Sequence, residues 1–171
     1  MQYLPPGVPV SLERAQSVVA YFMSQRQQHG YGPWAVIEQA SGALIGQCGL
    51  NFLPELGEVE VLYALAKPHW GRGLATEGAH AAARYGFEEL GLREIVALAA
   101  VDNLASQRVM DKLGMKYRRT LKLWKMRLKL YSVRREHFTT GDAPYLVRQE
   151  SPRMARIKDK KWAQFADRGE G

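Results

Sequence analysis

Two periodicities divide this chain, and the switches between them mark out its elements. From Leu12, the apolar residues Leu12, Ala15, Val18, Val19, Phe22 and Met23 recur at helical spacing. Ser11 stands before them as an N-cap, Glu13 lies in the first turn and Gly30 ends the run, which predicts a helix burying those six residues. Residues 34–38 and 43–50 read as strands joined through Ala40-Ser41-Gly42. Residues 51–57, with Pro54 among them, read as a loop, and residues 58–66 as a further strand. Residues 74–90 carry an alanine-rich helical pattern closed by Gly91, and 94–100 form a strongly apolar strand. A helix over 104–113 follows, capped by Asp102 or Asn103 and ended by Gly114, and 115–123 with 126–133 form a last hairpin. No internal repeat is present. The order of helix, three strands, helix, strand, helix and two strands predicts an α/β sandwich around a mixed sheet.

Composition narrows the class. A chain of 171 residues is long enough for one domain with a real core. No apolar run approaches the roughly 20 residues that span a bilayer, and the first ten residues, with three prolines, lack a signal peptide's pattern. Cys48 is the single cysteine, and the four histidines (29, 69, 80 and 137) have no ligand spacing. The expectation is a soluble, cytoplasmic protein without a metal and without a membrane partner.

The net charge of +7 is concentrated in one place: residues 116–135 hold nine Lys or Arg and no acid. Within it, Met126, Leu128 and Leu130 alternate with Lys125, Arg127 and Lys129, the pattern of a half-buried strand with a cationic outer face. Such a face either blunts a sheet edge or meets an anionic partner such as nucleic acid or a ribosome.

Two helices begin at the C-terminal ends of strands, where open α/β sheets place ligands. The first junction, His69-Trp70-Gly71-Arg72-Gly73-Leu74-Ala75-Thr76, is a glycine turn leading into a helix. The free N–H groups and positive dipole end of a helix N-terminus suit a diphosphate there, and glycines at 71 and 73 let the backbone approach it. The second junction is Val101-Asp102-Asn103-Leu104-Ala105-Ser106.

The run from Tyr63 through Trp70-Gly71-Arg72-Gly73-Leu74-Ala75-Thr76-Glu77 resembles the acetyl-CoA motif of the GNAT N-acetyltransferases. Asn103-Leu104-Ala105-Ser106, followed by Lys112-Leu113-Gly114-Met115, resembles that family's second motif. The Trp-Gly-x-Gly-x-Ala-Thr-Glu form is similar to the branch containing the ribosomal-protein N-terminal acetyltransferases. The similarity extends over residues 8–138, so 1–138 is read as the acetyltransferase domain and 139–171 as a C-terminal tail. A Rossmann reading fails for want of Gly-x-Gly-x-x-Gly and a ribose-binding acid.

The resemblance implies a GNAT-type mixed, mostly antiparallel sheet flanked by helices, with acetyl-CoA as co-substrate. It implies that backbone N–H groups of Gly71, Arg72, Gly73, Leu74, Ala75 and Thr76 hold the diphosphate. Tyr63, Ala64 and Leu65 would pair with the pantetheine arm as an added strand. Asn103 would bond that arm, or serve only as a helix cap; Arg108 would reach a phosphate, or stay solvated. The reaction implied is direct attack of a neutral amine on the acetyl thioester, driven by positioning and carbonyl polarisation.

Two family positions are altered. Some N-terminal acetylases carry Glu five residues before the motif Asn, where this chain has Leu98; many relatives carry a Tyr acid seven residues after it, where this chain has Met110. Glu60 then stands as the candidate base and Ser106 as the candidate donor to sulfur, each with a structural role as the alternative. Tyr63 and Tyr117 are weaker acid candidates, and Trp70, His69 and Cys48 read as structural. Relatives also begin with a strand and helix ahead of the one at Ser11, and here ten residues precede it. The expectation is a sheet lacking that first strand and helix, with an edge covered by a second copy of the chain or by the tail near residues 144–148, or else a shortened form with altered activity. The acceptor expected is a primary amine, either a protein N-terminus or a small amine such as an aminoglycoside or polyamine. A catalytically silent acyl-CoA-binding protein and a nucleic-acid-binding module are the alternatives from other classes.

Overall fold

The structure, a computed structural model, describes residues 10–141. The tail with its Tyr145-Leu146-Val147 patch, and the cover suggested near 144–148, lie outside the described residues.

Helix α1 (Leu12–His29) is followed by strands β1 (Pro33–Ile37), β2 (Leu44–Leu53) and β3 (Glu58–Leu65). Helix α2 (Leu74–Glu88), strand β4 (Glu94–Ala100), helix α3 (Leu104–Lys112) and the hairpin β5 (Lys116–Leu123) and β6 (Met126–Arg134) complete the order. The strands form one sheet in the order β1-β2-β3-β4-β6-β5. Only β3 and β4 run parallel, and every other neighbouring pair is antiparallel. The mixed, mostly antiparallel sheet with helices is the architecture anticipated above.

The alternation of strand side chains sorts the core into two faces. Cys48, Leu50, Val61, Ile95, Ala97, Ala99, Tyr131 and Val133 pack with Ala79, Ala82, Ala83 and Phe87 of α2 and Met110 of α3. The alanine-rich pattern of α2 lets it lie close on the sheet. Gly86 is the tightest point, where an added Cβ would stand 2.8 Å from Ile95 Cδ1 and 3.0 Å from Leu50 Cδ1. Leu53, Val96 and Leu130 form a second cluster, with Leu56, Leu98 and Leu121 packed against it.

Three local readings need correction. β2 continues through Asn51, Phe52 and Leu53, which pair with Glu60, Val59 and Glu58. A loop was expected there because Asn is a poor strand former, yet the ladder to β3 outweighs propensity and the strand ends only before Pro54. The anticipated inner face of α1 is only partly inward: Leu12, Val19 and Met23 are 76%, 47% and 51% exposed, whereas Gln25 is buried. The basic strand β6 is not an edge, because β5 lies outside it. Its alternation ceases accordingly, with Leu130, Tyr131, Ser132 and Val133 all buried. The cationic edge is β5, carrying Lys116, Arg118, Arg119 and Lys122.

The β5–β6 hairpin also curls back over the sheet. Arg118 of β5 donates to Glu58 of β3 at 2.7 Å and stands 3.8 Å from Glu94 of β4. At the hairpin tip, Trp124 Nε1 donates to Glu55 Oε1 at 2.8 Å, bringing the tip to the β2–β3 turn. Trp124 and Lys125 there both have positive φ, 49° and 64°, the left-handed pair that a two-residue hairpin turn demands.

Candidate active site

The site grows from the ladder between β3 and its neighbours. The Ala66 N–H donates to the Ile45 carbonyl at 2.8 Å, and Ala64 is paired with Gln47. Backbone groups alternate in direction along a strand, so those of Ala64 face β2 while those of Tyr63 and Leu65 face β4. The parallel ladder from β3 to β4 is registered only at Glu60↔Val96. Beyond that point β3 offers β4 an unpaired edge at Tyr63 and Leu65. The Leu65 carbonyl is taken by the Trp70 indole N–H at 2.7 Å, leaving the Tyr63 backbone and the Leu65 N–H open among the described residues. An extended amide chain pairs with such an edge as an added strand does. Of the three rail residues expected, the structure presents Tyr63 and Leu65 and turns Ala64 away.

After a short 3-10 turn at Lys67–His69 comes the glycine turn. Gly71 and Gly73 have φ of 75° and 82°, and nothing stands within 4 Å of a Cβ built on either. Among protein atoms their glycine requirement is therefore conformational, set by the left-handed backbone. Gly73 is the N-cap of α2 and supplies no side-chain hydrogen bond, whereas Ser11 caps α1 and Asn103 caps α3. The first-turn N–H groups of α2, at Leu74, Ala75 and Thr76, thus lack a side-chain cap, as an anion-binding turn requires. The Arg72 guanidinium does not face this cradle alone: it donates to Glu38 at 2.8 Å and lies 3.1 Å from His69 Nδ1. Bonds from Ser41 and Arg72 hold the Glu38 carboxyl below its usual range.

The second motif is drawn to β3 by one side chain. Tyr63 Oη lies 2.7 Å from Ser106 Oγ and donates to the Ser106 carbonyl at 3.1 Å. Burial pushes the Tyr63 hydroxyl up to about 12, so the pair is fully protonated at neutral pH. Asn103 Oδ1 accepts the Ser106 N–H at 3.1 Å, which makes Asn103 the cap of α3. Arg108 is exposed on α3. Sequence reasoning missed Gln107, which is buried and donates to the carbonyls of Ala100 at 3.2 Å and Val101 at 3.0 Å. Lys129 Nζ donates to Gln107 Oε1 at 2.8 Å, which takes Lys129 out of the free cationic face. The link from Lys129 through Gln107 clamps the β4–α3 junction beneath Asn103.

Glu60 occupies the opposite face of β3 from Tyr63, since Val59, Val61 and Tyr63 all pack on the helix side. It is 9% exposed and accepts a hydrogen bond from its cross-strand partner Asn51, Nδ2 to Oε1 at 3.0 Å. Burial raises its pKa to about 7, Asn51 pulls it down, and the charge of Glu55 pushes it up. Among the described residues no cation pairs with it. Glu60 and the Tyr63–Ser106 pair therefore lie on opposite sides of the sheet where β3 and β4 part. Cys48 is inert by comparison, its buried thiol pushed up to about 12, and Met110 is core at 2% exposed. Asn51 was missed in the sequence because it was read into a loop; its signal was a polar residue in register opposite Glu60.

The geometry suits a chain-like cofactor ending in a diphosphate. The diphosphate has uncapped N–H groups at α2, the amide arm has the open edge at Tyr63, and the two motifs flank one gap. Comparison with known proteins agrees. A family model described as the acetyltransferase (GNAT) domain matches residues 1–116. An uncharacterised Bacillus subtilis protein, YkkB, is 37% identical over 114 residues, covering 63% of this chain and 65% of the relative. An Aspergillus fumigatus protein named FsC-acetyl coenzyme A-N(2)-transacetylase is 30% identical over 124 residues, covering 67% of this chain and 52% of the relative. The chain thus spans less than two thirds of the length of either. The crystal structure of a GNAT-family acetyltransferase from Bacillus anthracis superposes with a TM-score of 0.67 at 25% identity, covering 80% of this chain and 81% of that one. With the motifs, the sheet order and the matched model all in agreement, this chain belongs to the GNAT acetyltransferase family.

Proposed function

We propose that this chain transfers the acetyl group of acetyl-CoA to a primary amine by direct attack. The observation that carries the reading is the gap between β3 and β4, with a cofactor cradle at one end and, on its far face, a buried carboxylate that no cation among the described residues pairs. Acetyl-CoA supplies the activated thioester, held by the N–H groups of Gly71 to Thr76 and by the Tyr63 edge. Glu60, half ionised near neutral pH, takes a proton from the incoming ammonium and leaves the neutral amine nucleophilic. From the other side of the gap, Ser106, hydrogen-bonded to Tyr63, donates toward the departing sulfur. Asn103 and Gln107 act by keeping α3, and hence Ser106, in place. Arg108 is the solvated cation available to a phosphate.

A protein N-terminus is the acceptor to test first, with aminoglycosides and polyamines in the same panel. The charge around Glu60 supports a single ammonium over a polyamine. Glu55, the carboxylate felt by Glu60, is bonded by Trp124, and Glu58 is paired with Arg118. On our reading the reaction is cytoplasmic; no helix among the described residues is long and apolar enough to cross a membrane. The experiment is acetyl-CoA turnover, followed as free thiol, against peptides with free N-termini, spermidine and an aminoglycoside. Saturable release with a peptide and none with spermidine is expected. Tight acetyl-CoA binding without turnover of any amine would instead favour a silent acyl-CoA-binding protein.

A further inference from the structure

The end of the sheet away from the cofactor cradle carries a groove that acetyl transfer does not use. Strands β3 and β4 run parallel, so the glycine turn after β3 and the Asn103 junction after β4 share one end of the sheet. Strand β4 starts at the other end with Glu94, about 20 Å away at the usual rise of a strand. There β6 runs out beside it, with Arg134 in register with Glu94. A groove of about 490 Å³ opens at this point, lined by Gly91, Arg93, Glu94, Arg134, Arg135 and Glu136. That volume lies within the range of small-molecule sites. Arg93, Arg134 and Arg135 are exposed, and none makes a side-chain hydrogen bond or ion pair with a described residue. Cross-strand register makes Glu94 the natural partner of Arg134, yet Glu94 lies 3.8 Å from Arg118 of β5 instead. The Arg135 N–H donates to the Arg93 carbonyl at 3.0 Å, which fixes these two residues side by side. Arg134 and Arg135 belong to the basic segment seen in the sequence, whereas Arg93 joins them only through the fold. The positive charge continues onto β5, where Lys116 pairs with Ser132, two residues before Arg134, and its neighbour Tyr117 is 52% exposed.

We propose that this groove is an anion site, separate from the cofactor cradle, that takes a phosphate ester. A guanidinium fork matches phosphate oxygens two at a time. A bound phosphate also offsets the mutual repulsion of three cations, which solvent only screens. A carboxylate is the poorer match: the groove already holds Glu94 and Glu136, and none of the three arginines pairs with either. Two sources present a phosphate ester, a free nucleotide and the backbone of single-stranded nucleic acid. The continuation through Lys116 and Tyr117 favours the strand, since it adds a cation for a further phosphate and an exposed ring on which a base stacks. Arg118 takes no part, because Glu58 holds it at 2.7 Å.

The test uses the full chain with saturating CoA, which fills the cradle, and two probes: AMP and a fluorescein-labelled uridine 12-mer. The parent is compared with the triple variant Arg93→Gln, Arg134→Gln, Arg135→Gln, and with Arg14→Gln on α1 as a control for net charge alone. Glutamine keeps most of each apolar stem at these exposed positions, so Tm and the CoA affinity are expected to stay unchanged. Both probes are expected to bind the parent and to weaken at least about tenfold in the triple variant, the loss of hydrogen bonds to a charged group, with Arg14→Gln close to the parent. For the 12-mer, the slope of log K against log salt should become shallower by about 2 in the triple variant, at roughly 0.7 per phosphate contact. A 12-mer bound far more tightly than AMP identifies the strand as the source, and equal affinity identifies the free nucleotide. Either result supports the groove. No binding of either probe overturns it, and so does an Arg14→Gln loss as large as that of the triple variant. If the chain binds no CoA, the same comparison is read without it, so the groove stands or falls apart from acetyl transfer.

Discussion

At the scale of single residues, the proposed chemistry rests on how burial retunes two side chains of one strand. Glu60 was a candidate base on type and phase alone; burial, against the opposing pull of Asn51, raises its pKa to about 7, so kcat/KM is expected to rise with pH through about 7 and then level. Glu60→Gln should lower kcat by about 100-fold or more and abolish that limb, and an unchanged pH profile would remove the assignment. The same shift has a sign for stability. The folded pKa lies above the ordinary value of 4.5, so the native state binds the extra proton. The stability it contributes is fully present below pH 4.5 and is lost as pH rises through about 7. Thermal melts should therefore show Glu60→Gln more stable than the parent at pH 8, with the advantage vanishing at pH 4. Tyr63 and Ser106 were legible only as separate members of two motifs. Their 2.7 Å contact joins residues 43 positions apart, which no local pattern encodes.

At the scale of elements, the turn from β3 into α2 was the most legible part. Two glycines before an alanine-rich helix demand left-handed backbone, and both adopt it. Gly73→Ala should cost about 1–2 kcal/mol from left-handed strain, since its Cβ meets nothing within 4 Å. Calorimetry with acetyl-CoA should also show weaker binding, as the N–H groups of α2 move. Gly86 makes the contrasting case, where space rather than φ is limiting. Gly86→Leu should destabilise by about 1–3 kcal/mol through overpacking against Ile95 and Leu50, measured by denaturant melts, with little direct effect on acetyl-CoA affinity. α1 was legible as a helix, from its Ser11 cap and its stop at Gly30, but not as to its buried face. Periodicity ranks residues by polarity, yet the position of α1 over β2 buries Gln25 and exposes Leu12. A polar residue buried in this way is where a pattern misleads and a site is to be sought.

Across the whole molecule, the basic segment was visible as charge but not as architecture. The hairpin that carries it curls over the sheet, and two contacts, Arg118 with Glu58 and Trp124 with Glu55, tie it to the strand and turn that flank Glu60. Both are partly exposed, so each is worth no more than about 1 kcal/mol. Trp124→Phe should keep the ring's packing, lower Tm only slightly and speed amide exchange at residues 121–126; unchanged exchange would count against the tie. The sequence by itself determined the element order, the cofactor motifs and the two left-handed glycines, because backbone propensity, periodicity and turn chemistry act between residues close in the chain. Only the tertiary structure decided that β3 parts from β4 at Tyr63, that Ala64 turns away while Tyr63 faces the gap, and that Glu60 is buried beside Asn51 with no cation from the described residues. Those facts depend on strand register, on burial and on which distant side chains share a face, and such quantities come into being only when the sheet closes.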